Sequence, residues 1–348
     1  MKHTQLGKSE IAVSAMTVGC WQFGGGDYWG KQDQSDVDAV VHAALDHGAT
    51  TFDTAEVYNN GASETSLGLA LKGRRDKAVV ISKIAPANCR DVRTHCEASL
   101  RRLGTDYLDV YMLHWPINKL AVEHFTSDQS ILAAPPTVES AYAQLDALKT
   151  EGKIRAIGMS NFGLSQMREV AATGVRADVN ELTYNIISRA IEADIAPYCI
   201  EQDVAIIGSM GLMQGVLAGK YKTPEDVRPH QAHSRHYPES RGQGTSRHGE
   251  PGCEKEIFVL VDALRDIAAG LHIEVAQLSI AWILKKPFMA STLIGSRNVE
   301  TLKANIAACS VEIPDAVEAQ IDTLSKPVWD LLGNSPDYYE HREKTRIF

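Results

Sequence analysis

Cysteine is sparse and unpatterned in this 348-residue chain. The six residues, at 20, 89, 96, 199, 253 and 309, include no CxxC pair. That distribution argues against a disulfide framework and predicts reduced thiols in a cytoplasmic protein. Long apolar runs are missing too. None approaches the ~20 residues of a membrane-spanning helix, and Met1-Lys-His-Thr-Gln-Leu6 is too polar to begin a signal peptide. Positive charge is in deficit: 35 Lys and Arg face 44 Asp and Glu, a net charge of −9 with no basic cluster. No nucleic-acid partner and no anionic membrane surface is therefore expected. What the chain does have is an apolar fraction of 44%, enough for a sizeable core in one large domain or two ordinary ones.

Apolar patterning decides between those. Short runs rich in β-branched and aromatic residues end near positions 20, 53, 83, 114, 160, 182, 208 and 295, with amphipathic helical segments between them. Eight strands alternating with helices predict a closed parallel (β/α)8 TIM barrel, one domain over 1–348. The alternative, an open doubly wound sheet, lacks its fingerprint. No GxGxxG follows the first strand, and no acidic residue stands some 20 positions on. Ahead of the barrel, Gln5–Ser9 and Ile11–Val13 read as a hairpin turning at Gly7-Lys8.

Two stretches break the alternation. Residues 117–136 form a long connection for a compact domain. Residues 222–254 are polar, rich in His, Arg, Gly and Pro, and lack an apolar period. They read as a solvated, partly mobile flap. Their histidines, His230, His233, His236 and His248, match no metal-binding spacing, and no metal site is expected. The last helix is expected over 299–308, with the segment from 327 to 348 a tail lying over the site.

The stretch Thr51-Phe-Asp-Thr-Ala-Glu-Val-Tyr58 carries the chemistry. Asp53 falls at a strand's C-terminal end and Tyr58 on the loop after it, where barrels place functional groups. Taken alone, Asp53 could cap a turn and Tyr58 could be packing. Lys83 and His114, however, end two further strands. A phenol titrates near ~10 and is a weak acid at neutral pH. A neighbouring ammonium is expected to lower that value, with Asp53 holding the lysine charged and His114 orienting a carbonyl or relaying a proton. No activated Ser or Cys is evident, which points to a hydride delivered by a cofactor.

With these residues in view, the chain resembles the aldo-keto reductases over almost its whole length. The resemblance is carried by Phe52–Tyr58 with Gly61, Ser63 and Glu64; Ser82-Lys83; Leu113-His114-Trp115-Pro116; Gly158–Phe162; and Gly215–Tyr221. It implies a (β/α)8 barrel whose bottom is capped by the N-terminal hairpin. It also implies NADP(H)-dependent reduction of an aldehyde or ketone, or the reverse, with Tyr58, Asp53, Lys83 and His114 as catalytic tetrad and Tyr58 as the acid. Ser160, Asn161 and Glu181 would hold the nicotinamide carboxamide, beside Trp21 and Asp53. Ser209, Gly211, Leu212, Gly215 and Lys220 would cover the pyrophosphate, and Gly295, Ser296, Arg297 and Asn305 would lie at the adenosine phosphate.

Departures from the family pattern qualify this. Glu181 replaces a common Gln and can only accept hydrogen bonds when ionised. Gly208 stands where relatives carry an aromatic stacked on the nicotinamide. Arg297 suits a 2′-phosphate because its planar fork binds phosphate in a bidentate manner, which favours NADPH over NADH. Trp21, Tyr28, Trp29 and Trp115, with Tyr58, His114, the 117–136 loop and the tail from Trp329 to Tyr339, would shape a substrate site. Flat aromatics beside polar loops suit a sugar or cyclitol, though they equally suit plain packing. Two other readings stay open: a protein that retains NADP(H) for transient redox in epimerisation, elimination or glycoside cleavage, and a redox-sensing binding module. Association into a homo-oligomer is compatible with all three.

Overall fold

A computed structural model describes residues 1–348. Strands β1 (His3–Gln5) and β2 (Ala12–Ser14) form an antiparallel hairpin, its turn relieved by Gly7 at φ 50°. Eight strands then alternate with helices: β3 (Met16–Gly19), β4 (Thr51–Asp53), β5 (Val79–Ile84), β6 (Leu108–Leu113), β7 (Ile154–Ser160), β8 (Val179–Thr183), β9 (Ala205–Ser209) and β10 (Met289–Gly295). All are parallel and each pairs with the next, with β10 closing on β3. The barrel predicted from the alternation is present.

The helices outside it are α1 (Gln34–Asp46), α2 (Ala62–Ala70), α3 (Val92–Leu103), α4 (Lys119–Phe125), α5 (Gln129–Ala133) and α6 (Val138–Thr150). They continue as α7 (Leu164–Ala172), α8 (Ile195–Gln202), α9 (Glu254–Gly270), α10 (Val275–Lys285), α11 (Val299–Ala308) and α12 (Asp315–Leu332). No single helix is long and apolar enough to cross a membrane.

Side-chain alternation splits the core in two. One face of each strand packs against the helices, with Phe52, Val80, Tyr111, Ile157 and Ile206 among the buried residues. The other face fills the barrel with Ile81, Val110, Met112, Ala156, Val179 and Ile207, and the bottom is sealed by Leu6, Ile11 and Val13 of the hairpin. The hairpin therefore plugs the N-terminal end. Above the apolar fill the inward positions turn polar, and that layer is the mouth.

Three expectations need correction. The 117–136 connection is not structureless: Asn118 and Asp128 cap α4 and α5 through their side chains. The C-terminal segment holds a further helix, α12, so Trp329 sits on a helix under the Arg189 guanidinium and not in an extended tail. Its pattern is broken in the sequence by Pro327, which hides the last turn.

The polar stretch 222–254 is no solvated flap either. Arg235 is fully buried, donating to the carbonyls of Leu332, Ser335 and Asp337. Glu250 accepts from Arg342, and Arg346 makes a bidentate pair with Asp337, both at 2.8 Å. His236 bridges Ser188 and Ser234, and His233 stacks on Tyr339. Polar residues here build a second, hydrogen-bonded core that clamps the insertion to the segment after α12. Periodicity cannot reveal such a core, because it is not apolar.

Removing one partner of a buried ion pair leaves the other charge uncompensated. Asp337→Ala is therefore expected to destabilise the protein by about 3 kcal/mol. Chemical denaturation checks the loss, and limited proteolysis should show faster cleavage within 222–254 and 333–348.

Candidate active site

Lys83 and Asp53 meet because their strands are neighbours and their side chains share the inward face. In the register, Asp53 on β4 pairs with Ile81 on β5, and Lys83 stands two residues further up on the same face. Its ammonium is fully buried and donates to both Asp53 oxygens, at 2.5 Å to Oδ1, and to the Thr54 carbonyl at 3.2 Å. Tyr58 Oη lies 3.5 Å from Lys83 Nζ, and the Tyr58 and His114 rings meet edge to face at 5.4 Å. All four expected residues thus converge.

The turn carrying Tyr58 is held from both sides. Asn59 and Asn60 adopt φ of 50° and 53°, a left-handed conformation that Asn tolerates better than most residues. Asn59 Nδ2 then donates to the carbonyls of Trp21 and Phe23, each at 2.8 Å. On the other side, Glu56 accepts from the Ala85 amide at 2.9 Å, from Asn88 at 2.7 Å and from His95 at 2.7 Å. Below, Glu64 pairs with Ser82 and Arg102. Glu56 and Asn59 were not among the expected site residues. The Asn-Asn-Gly run and an acid two residues before the tyrosine were the available signals.

Electrostatics depart from expectation at Tyr58. Burial raises the phenol's pKa, Lys83 lowers it, and Asp53 and Glu181 raise it again, so the net shift is upward. The ammonium is outweighed first by burial of the phenol and then by the two carboxylates of the mouth. Glu181, on β8 beside Ser160, has Oε2 3.5 Å from Lys83 Nζ, buried and without a hydrogen-bond partner. Burial and the nearby Glu181 push Asp53 well above the usual carboxylate range despite Lys83. Burial opposes the Lys83 charge, but the Asp53 and Glu181 charges more than offset it and raise its pKa. His114 is held neutral, well below its usual range, by burial and then by Lys83, and its Nδ1 is also unpartnered.

The remaining expected residues surround this centre. Asn161, at φ 62°, donates from Nδ2 to the His114 carbonyl at 3.0 Å and to Ser160 Oγ at 3.1 Å. Gly208 faces outward, because a Cβ there would meet Met289 Cε at 2.6 Å on the helix side. The mouth-facing position of β9 is Ser209, so the missing aromatic belongs one residue later than the sequence suggested. Beyond it the chain runs irregularly through Gly211, Leu212 and Gly215 to the exposed Lys220, with positive φ at Met210, Met213, Gln214 and Gly215. Gly211 lies against β10, where a Cβ would come within 2.6 Å of Thr292 Oγ1.

Past β10, Asn305 donates to Ser296 Oγ at 3.1 Å, and Gln22 bridges the Gly19 and Ser296 carbonyls beside Gly295. Arg297 is exposed, and its guanidinium donates to the carbonyls of Trp29 and Lys31, each at 2.6 Å. Tyr28 crosses to the other side, donating to Gln214 Oε1 at 3.0 Å. Trp21 stacks on Tyr28 at 4.9 Å, meets Trp29 edge-on at 5.3 Å and lies 5.9 Å from Tyr58. Trp115 stays apart from that cluster, its ring under the Arg346 guanidinium at 3.8 Å. The four histidines of 222–254 do not gather, and nowhere do three His, Cys, Asp or Glu side chains converge as a metal site.

Residues 15–326 match the aldo/keto reductase family. The chain belongs to that family. An aldo-keto reductase from Bacillus subtilis, YhdN, is 31% identical over 87% of each chain. The NADH-specific methylglyoxal reductase of Escherichia coli is 29% identical over 91% of this chain and 96% of its own. Among solved structures, an aldo/keto reductase from Klebsiella pneumoniae in complex with NADP and acetate is 27% identical, covers 93% of this chain and 95% of its own, and superposes with a TM-score of 0.68. Aldo-keto reductases are oxidoreductases acting on small carbonyl compounds, and this barrel presents its polar layer at the strand ends, where such chemistry needs it.

A depressed imidazole pKa has a definite sign. Below pH ~6.5 the unfolded His114 takes a proton that the folded one refuses, so stability is lost as pH falls. Replacement by His114→Gln removes that share. The stability lost between pH 7 and 5, measured by urea unfolding at each pH, is expected to be smaller in the variant by about 2 kcal/mol.

Proposed function

We propose that this aldo-keto reductase, acting as one unit over residues 1–348 in the cytoplasm, interconverts a small carbonyl compound and its alcohol with NADP(H), using Tyr58 as the general acid and base. The observation that carries this is the convergence of Tyr58, His114 and the buried Lys83–Asp53 pair in one polar layer. Two buried polar atoms there, Glu181 Oε2 and His114 Nδ1, lack partners within the protein. A nicotinamide carboxamide and a substrate oxygen are groups that would satisfy them. The bound nucleotide would supply or accept the hydride.

In reduction, the Tyr58 hydroxyl gives its proton to the carbonyl oxygen while the carbon gains the hydride. Lys83 stabilises the phenolate left behind, and Asp53 keeps Lys83 charged and in place. Neutral His114 orients the oxygen from the other side. Burial raises the Tyr58 pKa, so proton transfer in either direction depends on Lys83 stabilising the phenolate against that burial. Ser160, Asn161 and Glu181 hold the carboxamide, the 209–220 segment covers the pyrophosphate, and Gly295, Ser296 and Asn305 line the adenosine end. Arg297 turns to a 2′-phosphate by exchanging its bonds to the Trp29 and Lys31 carbonyls, which favours NADPH.

The substrate is a sugar or cyclitol carbonyl, or the matching alcohol. Its support is the aromatic wall of Trp21 and Tyr28 beside Tyr58, against which a ring's apolar face packs. One observation favours a second reading. The contacts of Arg297 to residues 29–31 and of Tyr28 to Gln214 tie three loops across the cofactor groove. That strap suits a nucleotide kept through many turnovers, as epimerisation, elimination or glycoside cleavage with transient redox would require.

Titration of NADPH and NADH by fluorescence, followed by turnover on a panel of sugars, cyclitols and methylglyoxal, tests the proposal. Tyr58→Phe is expected to lower kcat by about 10³ while leaving the nucleotide Kd within about threefold. Equal turnover by the variant would remove Tyr58 from the chemistry. Nucleotide that binds, resists dialysis and drives no net oxidation or reduction would favour the second reading.

A further inference from the structure

Three charged side chains share the buried layer of the mouth, and they do not balance. Lys83 spends its hydrogen bonds on Asp53 and the Thr54 carbonyl, leaving Glu181 at 3.5 Å with Oε2 unpartnered. A buried carboxylate oxygen without a partner is costly, and the cost is relieved by a proton or by positive charge arriving from outside. Burial and the nearby Glu181 charge hold the Asp53 carboxyl well above the usual carboxylate range, so Asp53 is the group of this layer placed to keep a proton when nothing else is bound. The other titratable groups facing this layer are Tyr58 on the turn after β4, His114 at the end of β6 and Cys20 beside Asp53, and none of them carries a positive charge there.

The oxidised and reduced nicotinamide nucleotides have the same phosphates and adenosine. They differ in one positive charge, which sits on the nicotinamide ring. From the uncompensated carboxylate we infer that Glu181 makes this site select NADP+ over NADPH, the ring's charge supplying the partner that Lys83 does not. The inference rests on the cofactor reading above and goes beyond it. By linkage, a site that holds the oxidised form more tightly makes the bound reduced form a stronger hydride donor. It also predicts that binding NADP+ expels a proton whereas binding NADPH does not. As pH rises and Asp53 loses its proton unaided, the preference for NADP+ deepens.

The test uses the full chain and both nucleotides, with no substrate. Wild type and Glu181→Gln are titrated with NADP+ and NADPH by calorimetry in two buffers of different protonation enthalpy, which reports Kd and protons exchanged together. Wild type is expected to bind NADP+ at least about tenfold more tightly than NADPH, and the ratio should fall toward one in Glu181→Gln. Proton release with NADP+ should disappear in the variant. Arg297→Ala, at the far end of the nucleotide, should weaken both forms equally. A ratio unchanged in Glu181→Gln, with its melting temperature confirming a folded protein, overturns the selection role while leaving the cofactor reading intact. Failure of wild type to bind either nucleotide overturns both.

Discussion

The Lys83–Asp53 pair is the constraint around which the mouth is built. An ammonium buried at the mouth of a barrel is tolerated only if carboxylate and carbonyl oxygens surround it, and Asp53 and Thr54 supply them at hydrogen-bond distance. Those partners come from an adjacent strand at a fixed register, so the pair also locks β4 against β5. Every other group at the mouth is placed relative to it. Tyr58 reaches back to the ammonium from the following turn, His114 closes the layer from β6, and Glu181 approaches from the far side with a charge the lysine is no longer free to meet.

Around that centre the protein uses two kinds of rigidity. Beneath the mouth it is apolar filling, from Met112 and Ile207 down to the hairpin plug of Leu6, Ile11 and Val13. Above it the loops are fixed by charge. Arg235, Glu250, Asp337, Arg342 and Arg346 knit the 222–254 insertion to the segment after α12, and Arg346 in turn covers Trp115 beside His114. Loops held in this way have defined positions over the site, in contrast to loops that owe their order to a ligand. The strap from Trp29 to Arg297 and from Tyr28 to Gln214 is different in kind. It is made of a few hydrogen bonds between separate loops and not of a buried ionic core.

Much of this was legible in the residues. The eight strand ends could be counted because parallel barrel strands are short continuous apolar runs punctuated by polar residues. Asp53, Lys83 and His114 could be grouped because each is the first polar, inward-facing residue at such an end. Glu181 stood out as a carboxylate where an amide was expected. Less was legible where neighbours decide the outcome. Gly208 was misassigned by one position because strand parity is set by which face packs on the helices, and Met289 supplies that face. The insertion looked solvated because its core is polar, and α12 was overlooked because Pro327 breaks its pattern. The direction of the Tyr58 shift was misjudged because a nearby ammonium was weighed without the burial and the second carboxylate.

By itself the sequence determined the barrel, its closure by eight strands, and the four residue types that gather at its mouth, since periodicity and strand-end polarity are local properties carried along the chain. The tertiary structure alone decided the balance of charge. Whether Glu181 meets Lys83, whether Arg297 faces a ligand or a loop, and whether Trp115 is open or covered all depend on contacts between residues far apart in sequence. Such contacts are set by register, tilt and burial, and electrostatic free energy follows distance and desolvation rather than order along the chain.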